Sequence, residues 1–367
     1  MSMADYYQVL QVSPGADAEA IQAAYRALCK QYHPDTGRQG ASVEMMRLIN
    51  EAYAVLSDAT RRQAYDAQYR REVLGARRTN PLRAGERSLA LGAGLTLALA
   101  RVPAGAFLMG GCGAGGPAEA EPYSVELPEY YIGLYAVTVA QYAAFADATG
   151  RRSTPWARRS LSYDPSALGD PETITRLDRN WRRPFGERSH VRGKPDHPVM
   201  VVTWYDALAF CEWASERSGA TVRLPSAAEW QKAARGVDGR CYPWGGEPAA
   251  HPRLCNCRPE WRRVANEGDT TPAGSFSPAG DSPYGCADML GNVWEWTGTR
   301  SRGQDGKTFF GDPYRPDDGR EDPAARDARW LCGGSFQMDC GSLSCLSQRE
   351  QEPLRASDTG FRVCVTT

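Results

Sequence analysis

Apolar positions along the chain follow two different periods. Ile21, Tyr25, Leu28 and Tyr32 are spaced i, i+4, i+7, i+11, and Met45, Ile49, Ala52 and Leu56 repeat that spacing. One apolar stripe per turn predicts two amphipathic helices. Between them lies His33-Pro34-Asp35-Thr36-Gly37, a breaker cluster that must be a loop. Two such helices form an antiparallel hairpin that buries its facing stripes. Arg26 and Lys30, four residues apart, occupy the other side of the first helix.

From Leu89 the period changes. Leucines at 89, 91, 95, 97 and 99 alternate with Ala, Gly and Thr, which predicts one buried strand over 89–100. At 12 residues this run is too short for the ~20 that a membrane-spanning helix needs. Thr203-Trp204-Tyr205-Asp206 is a capping box that starts a helix running to about Ser218, ended by Gly219. Ser226-Ala227-Ala228-Glu229 starts another, which stops before Gly236. Residues 153–194 and 300–329 show no clear period. The prediction is an all-α helical-hairpin segment at 1–69, a linker at 70–88, and an α+β domain with much irregular structure at 89–367. From Arg70 to Arg87 the linker holds six Arg and two Glu, a local charge of +4, with Pro81 and two Gly, and reads as a flexible basic tether.

Composition narrows the class. Of 367 residues 42 % are hydrophobic and 24 % charged, ordinary values for a globular protein, and a net charge of −1 argues against bulk nucleic-acid binding. The 37 Gly and 25 Pro imply many turns, and ten Trp must be buried or line a surface, which excludes disorder, collagen and a simple bundle. Met1 to Tyr7 is polar and acidic with no apolar core behind it, so no export signal is expected. Eleven cysteines are an odd number without the density of a disulfide scaffold. Reduced thiols, a cytoplasmic location and no membrane partner are the expectation.

Tyr6-Tyr7-x-x-Leu10, Ala24-Tyr25-Arg26, His33-Pro34-Asp35 and Asp58-x-x-Arg61-Arg62-x-x-Tyr65-Asp66 occur in an order that closely resembles the J-domain of DnaJ-type co-chaperones, over residues 4–69. The resemblance implies that His33, Pro34 and Asp35, with Arg26 and Lys30, dock on a DnaK-type heat-shock ATPase and stimulate it. A proline-fixed loop loses little entropy on binding, and helix cations complement an acidic partner. Only two cations lie on that helix, and neither a Gly/Phe-rich stretch nor a cysteine-rich zinc repeat follows.

The rest resembles the formylglycine-generating-enzyme (sulfatase-modifying-factor) superfamily from about Leu95 to Val365. The blocks, in family order, include Val102-Pro103-Ala104-Gly105-x-Phe107-x-Met109-Gly110, Arg223-Leu224-Pro225-x-x-x-Glu229-Trp230, Gly291-Asn292-Val293-Trp294-Glu295-Trp296, Gly333-Gly334-Ser335 and Gly360-Phe361-Arg362. The resemblance implies a C-type-lectin-like fold, and the family's activities need different residues. Its copper oxidases, which convert a peptide cysteine to formylglycine with O₂, hold Cu(I) between two thiolates of the last loop. Cys340 and Cys345 have the family's separation, but Cys340 lies five residues after Ser335 rather than three. Its iron sulfoxide synthases need a His-x3-His-x-Glu pattern that the four histidines do not make. A structural calcium is implied at Asp288, Gly291, Val293 and Glu295, hard oxygen donors that suit the ion. The binding members of the family present a variable carboxy-terminal loop, as in diversity-generating retroelements. The matching surface here is Phe336, Gln337, Met338, Asp339, Ser342, Ser344, Ser347, Gln348 and Glu350. The expected function is a chaperone-recruiting adaptor that binds a protein or small ligand there, with the copper oxidase as the alternative.

Overall fold

In the computed structural model the two amino-terminal apolar stripes close on each other. The structure describes residues 6–10, 12, 18–32, 43–69, 86–111, 122–151, 179–186, 189–245, 254–258, 268–303 and 313–366. The chain divides into two compact units, one containing the amino-terminal helices and the other the strands and remaining helices. Helices α1 (Tyr6–Leu10), α2 (Ala18–Tyr32), α3 (Val43–Leu56) and α4 (Ala59–Tyr69) make the first. Ile21 and Leu28 of α2 are buried with Ile49, Ala52 and Leu56 of α3, as their spacing requires. The ends of this unit are bound by aromatic hydroxyls. Tyr7 donates to Asp66 and accepts from Arg62 Nε at 3.2 Å, while Tyr6 N–H donates to the Tyr65 hydroxyl at 2.8 Å. Tyr25 stacks on Tyr53 at 4.0 Å and fastens α2 to α3.

The second unit has two mixed layers. Strands β1 (Arg87–Gly92), β2 (Leu95–Val102), β5 (Tyr130–Gly133), β11 (Cys364–Thr366) and β6 (Val222–Arg223) form one sheet in the order β1-β2-β5-β11-β6, all antiparallel. The single strand expected at 89–100 is thus a hairpin. Its turn runs through Gly92, Ala93 and Gly94, all at positive φ, a conformation that two of the three adopt without a Cβ penalty. Strands β3 (Gly105–Met109) and β4 (Tyr123–Leu127) pair as a separate ribbon. The second sheet has the order β10-β7-β8-β9, with β7 at Trp294–Arg300, β8 at Arg329–Cys332, β9 at Gln348–Gln351 and the parallel β10 at Thr359–Gly360.

Three capped helices pack on these sheets: α5 (Val139–Thr149), α6 (Trp204–Ser218) and α7 (Ala227–Arg235). The capping boxes at Thr203/Asp206 and Ser226/Glu229 form as expected, and Gly219 ends α6 at a φ of 70°. Sequence reasoning missed α5, although Thr138-x-x-Gln141 is a capping box and Gly150 ends the helix at a φ of 65°. Three fully buried tryptophans of the core have satisfied N–H groups. Trp204 donates to the Thr297 carbonyl at 3.0 Å, Trp296 to that of Val202 at 3.0 Å, and Trp230 to Glu295 Oε2 at 2.7 Å. No helix among the described residues is long and apolar enough to cross a membrane.

Candidate functional site

On the helical unit, Arg26 and Lys30 are exposed on α2, while His33, Pro34 and Asp35 lie outside the described residues.

At the carboxy-terminal end, the loop after Gly333-Gly334-Ser335 is zipped to residues 255–258. Arg258 N–H donates to the Met338 carbonyl at 2.8 Å, and Cys340 N–H returns to the Arg258 carbonyl at 3.0 Å. Asp339 pairs with Arg258 at 2.9 Å. A disulfide joins Cys257 to Cys340. The expectation of reduced thiols is therefore corrected at this position, and so is the copper pair. Cys340 has no free thiolate, and Cys345 is a buried thiol pushed up to about 12 by burial, which the Arg235 and Arg240 charges only partly offset. As assembled, Cys340 and Cys345 do not fit a Cu(I) centre.

The ligand surface also changes. Phe336 is 3 % exposed, packed with Met200, Val201 and Val293 and edge-to-face with Phe185 at 6.2 Å, so it is core rather than contact. Ser344 is buried too, its hydroxyl accepting from Leu346 N–H at 3.2 Å to shape the turn. Gln337, Met338, Asp339, Ser342, Ser347, Gln348 and Glu350 all reach the surface, Glu350 in an ion pair with Arg302 at 2.7 Å. Strained backbone lies beneath them. Val201 holds a φ of 60°, rare for a β-branched residue, and donates to the Ser357 carbonyl at 2.9 Å.

At the implied calcium set, the Glu295 carboxylate is already partnered. Glu295 Oε1 accepts from Arg362 Nη2 at 2.7 Å, and Oε2 accepts from Arg362 Nε at 2.6 Å and Trp230 at 2.7 Å. Arg362 also donates to the Gly133 and Ala287 carbonyls, so a cation already sits where the ion was expected to take Glu295. Gly291 is required for a different reason, because a Cβ there would come 2.2 Å from the Asn256 carbonyl oxygen. Asp288 is left with Oδ2 bonded to Gly274 N–H at 2.6 Å and with Oδ1 buried and unpartnered among the described residues. Among those residues no group of three or more His, Cys, Asp or Glu is placed to hold a metal.

Burial pushes the Asp288 carboxyl up to about 6 from 3.8, against the Gly274 hydrogen bond and the Arg362 charge. The folded state therefore binds this proton more readily than the unfolded state. Measured in EGTA, the group's contribution to stability rises as pH falls from 7 through 6 toward 4, by about 2–3 kcal/mol. Urea titrations of wild type and Asp288→Asn check this, the slope being absent from the variant. A calcium-dependent gain at pH 7 that the variant loses would restore the ion to the site.

A helical hairpin locked by tyrosines, followed by two small sheets and long loops around a buried Glu295–Arg362 pair, defines a J-domain fused to a formylglycine-generating-enzyme-like fold. The chain belongs to the family described as the sulfatase-modifying factor enzyme 1-like domain, which matches residues 96–367, and a DnaJ domain matches residues 5–66. The formylglycine-generating enzyme of Streptomyces coelicolor is 35 % identical over 287 residues, covering 71 % of this chain and 83 % of that protein. Among solved structures, PvdO from Pseudomonas aeruginosa shares the fold at a TM-score of 0.53 and 20 % identity, covering 77 % of this chain and 98 % of its own. Treponema denticola variable protein 1 does so at a TM-score of 0.51 and 19 % identity, covering 77 % of this chain and 99 % of its own.

Proposed function

We propose that this chain is a co-chaperone adaptor. Its DnaJ domain engages a DnaK-type ATPase through Arg26, Lys30 and the His33-Pro34-Asp35 loop. Its second domain holds a protein or small ligand on the surface formed by Gln337, Met338, Asp339, Ser342, Ser347, Gln348 and Glu350. The observation that carries this reading is the Cys257–Cys340 disulfide, which removes a thiolate the oxidase needs and fixes the loop as a preorganised surface. The name of the Treponema denticola neighbour, a variable protein, supports treating those side chains as exchangeable positions on a fixed frame, as a diversity-generating retroelement would use them.

The test is single-turnover ATP hydrolysis by a DnaK-type chaperone. Wild type is expected to stimulate it at least tenfold, with the stimulation lost in His33→Gln and reduced several-fold in Arg26→Ala/Lys30→Ala. No stimulation by wild type would overturn the adaptor reading. The oxidase is the second reading, favoured by the 35 % identity to the Streptomyces coelicolor enzyme. It requires the disulfide to open first. Anaerobic Cu(I) titration of the reduced protein decides it. One tightly bound copper, lost in Cys340→Ser/Cys345→Ser, would replace the adaptor with the oxidase, and no specific copper would retire the oxidase.

A further inference from the structure

Arg349 lies on β9 opposite Leu331 of β8, and its guanidinium sits over the indole of Trp294, 4.7 Å from the ring centroid. Its polar partners are poor. Nη2 reaches Ser357 Oγ and Asp358 Oδ1, each at 3.5 Å, beyond the usual length of a charge-assisted hydrogen bond. Asp358 is the obvious counter-ion, but its oxygens are engaged elsewhere. Ser335 donates to Oδ2, and Ser357 donates to Oδ1 at 2.9 Å.

A guanidinium carries five N–H donors. Among the described residues Arg349 uses one nitrogen, and Nε is buried with no partner. The Trp294 N–H is likewise buried and unpartnered among the described residues. Buried donors without acceptors cost stability. The side chain is still 37 % exposed, which leaves its outer face open to solvent. Burial disfavours the cation, the Asp358 charge and hydrogen bond offset this in part, and the nearby Arg355 charge adds to the cost. Through Ser335, Asp358 is joined to the start of the loop that carries the proposed ligand surface.

We propose that Arg349, stacked on Trp294 and steadied by Ser357 and Asp358, is a carboxylate anchor at the Ser335 end of that loop, on the face of β9 opposite Gln348 and Glu350. The inference rests on the ligand-binding reading above and supplies its chemistry. A carboxylate is planar and offers two oxygens to the guanidinium fork, and the aromatic face keeps that fork in one orientation. A peptide C terminus and an acidic side chain share this chemistry.

The test follows the Nε–Hε resonance of Arg349 in full-length protein labelled with ¹⁵N-arginine, assigned by its disappearance in Arg349→Lys. N-acetylglycine, N-acetylglycinamide and N-acetylglutamate α-amide (side-chain carboxylate free) are titrated at ionic strength matched with sodium chloride. The expected result is a saturating shift at millimolar N-acetylglycine, none with the amide, and at least a tenfold weaker affinity in Arg349→Lys, read from the probe's own signals. Equal saturation by the glutamate derivative assigns the site to any carboxylate, and its absence to a chain terminus. No shift, or a linear shift matching that of chloride, overturns the anchor. If the lysine variant does not fold, the wild-type titration decides alone. The chaperone assay does not depend on Arg349, so failure here is separable from failure of the adaptor reading.

Discussion

Replacing Arg362 with methionine lowers the stability of the second domain by about 3–5 kcal/mol, the cost of leaving a buried charge without its partner. The pair has 0 % and 1 % side-chain exposure, so water cannot take the place of the guanidinium. Three structural pieces depend on it. Arg362 donates to Glu295 on β7, to the Gly133 carbonyl at the end of β5, and to the Ala287 carbonyl, so it ties the two sheets to the loop before the Gly-Asn-Val-Trp-Glu-Trp motif. Glu295→Gln in the same background removes the uncompensated charge while keeping an acceptor for Trp230. The double variant is therefore expected to recover part of the loss. Urea denaturation of the four members of the cycle measures the coupling, and an additive result would show that the pair contributes nothing beyond its separate contacts.

Opening the Cys257–Cys340 bond gives the second large effect. The two cysteines are 83 residues apart, and closing a loop of that length in the unfolded chain stabilises the native state by up to about 4 kcal/mol. Cys257→Ser/Cys340→Ser should lower the melting temperature by on the order of 10 °C. Amide exchange should quicken most at Arg258 and Cys340, whose backbone bonds lie beside the bridge. Equal melting temperatures in oxidised wild type and the double serine variant would mean that the ladder and the Arg258–Asp339 pair hold the loop unaided.

What could be read from the residues was local chemistry. The i, i+4 stripes of α2 and α3 and the caps of α6 and α7 depend on side chains a few positions apart, and a linear reading finds them. The missed helix α5 carried the same signal in Thr138, Gln141 and Gly150. Pairings set by topology were not legible. The family resemblance places Glu295 at calcium, and the identity of its arginine partner, 67 residues away in Arg362, is set only by the fold that brings that guanidinium to both carboxylate oxygens. Phe336 stands in a row of polar loop residues and looks exposed. It turns inward because the Asn292 carbonyl accepts its N–H at 3.1 Å and an apolar cluster with Met200 and Val293 receives the ring. Arg349 drew no notice, since an unmet donor is visible only when its neighbours are.

The position of β11 sets an order of events during synthesis. This strand, Cys364–Thr366, lies between β5 and β6, with Cys364 opposite both Ile132 and Arg223. A ribosome that has made everything up to Arg362 has made a sheet with a gap at its fourth place and two unsatisfied strand edges facing that gap. The helices of the J-domain emerge first and need nothing from downstream to bury Ile21, Leu28 and Ile49. The nascent chain thus displays a finished DnaJ domain throughout the interval in which its own larger domain cannot yet close.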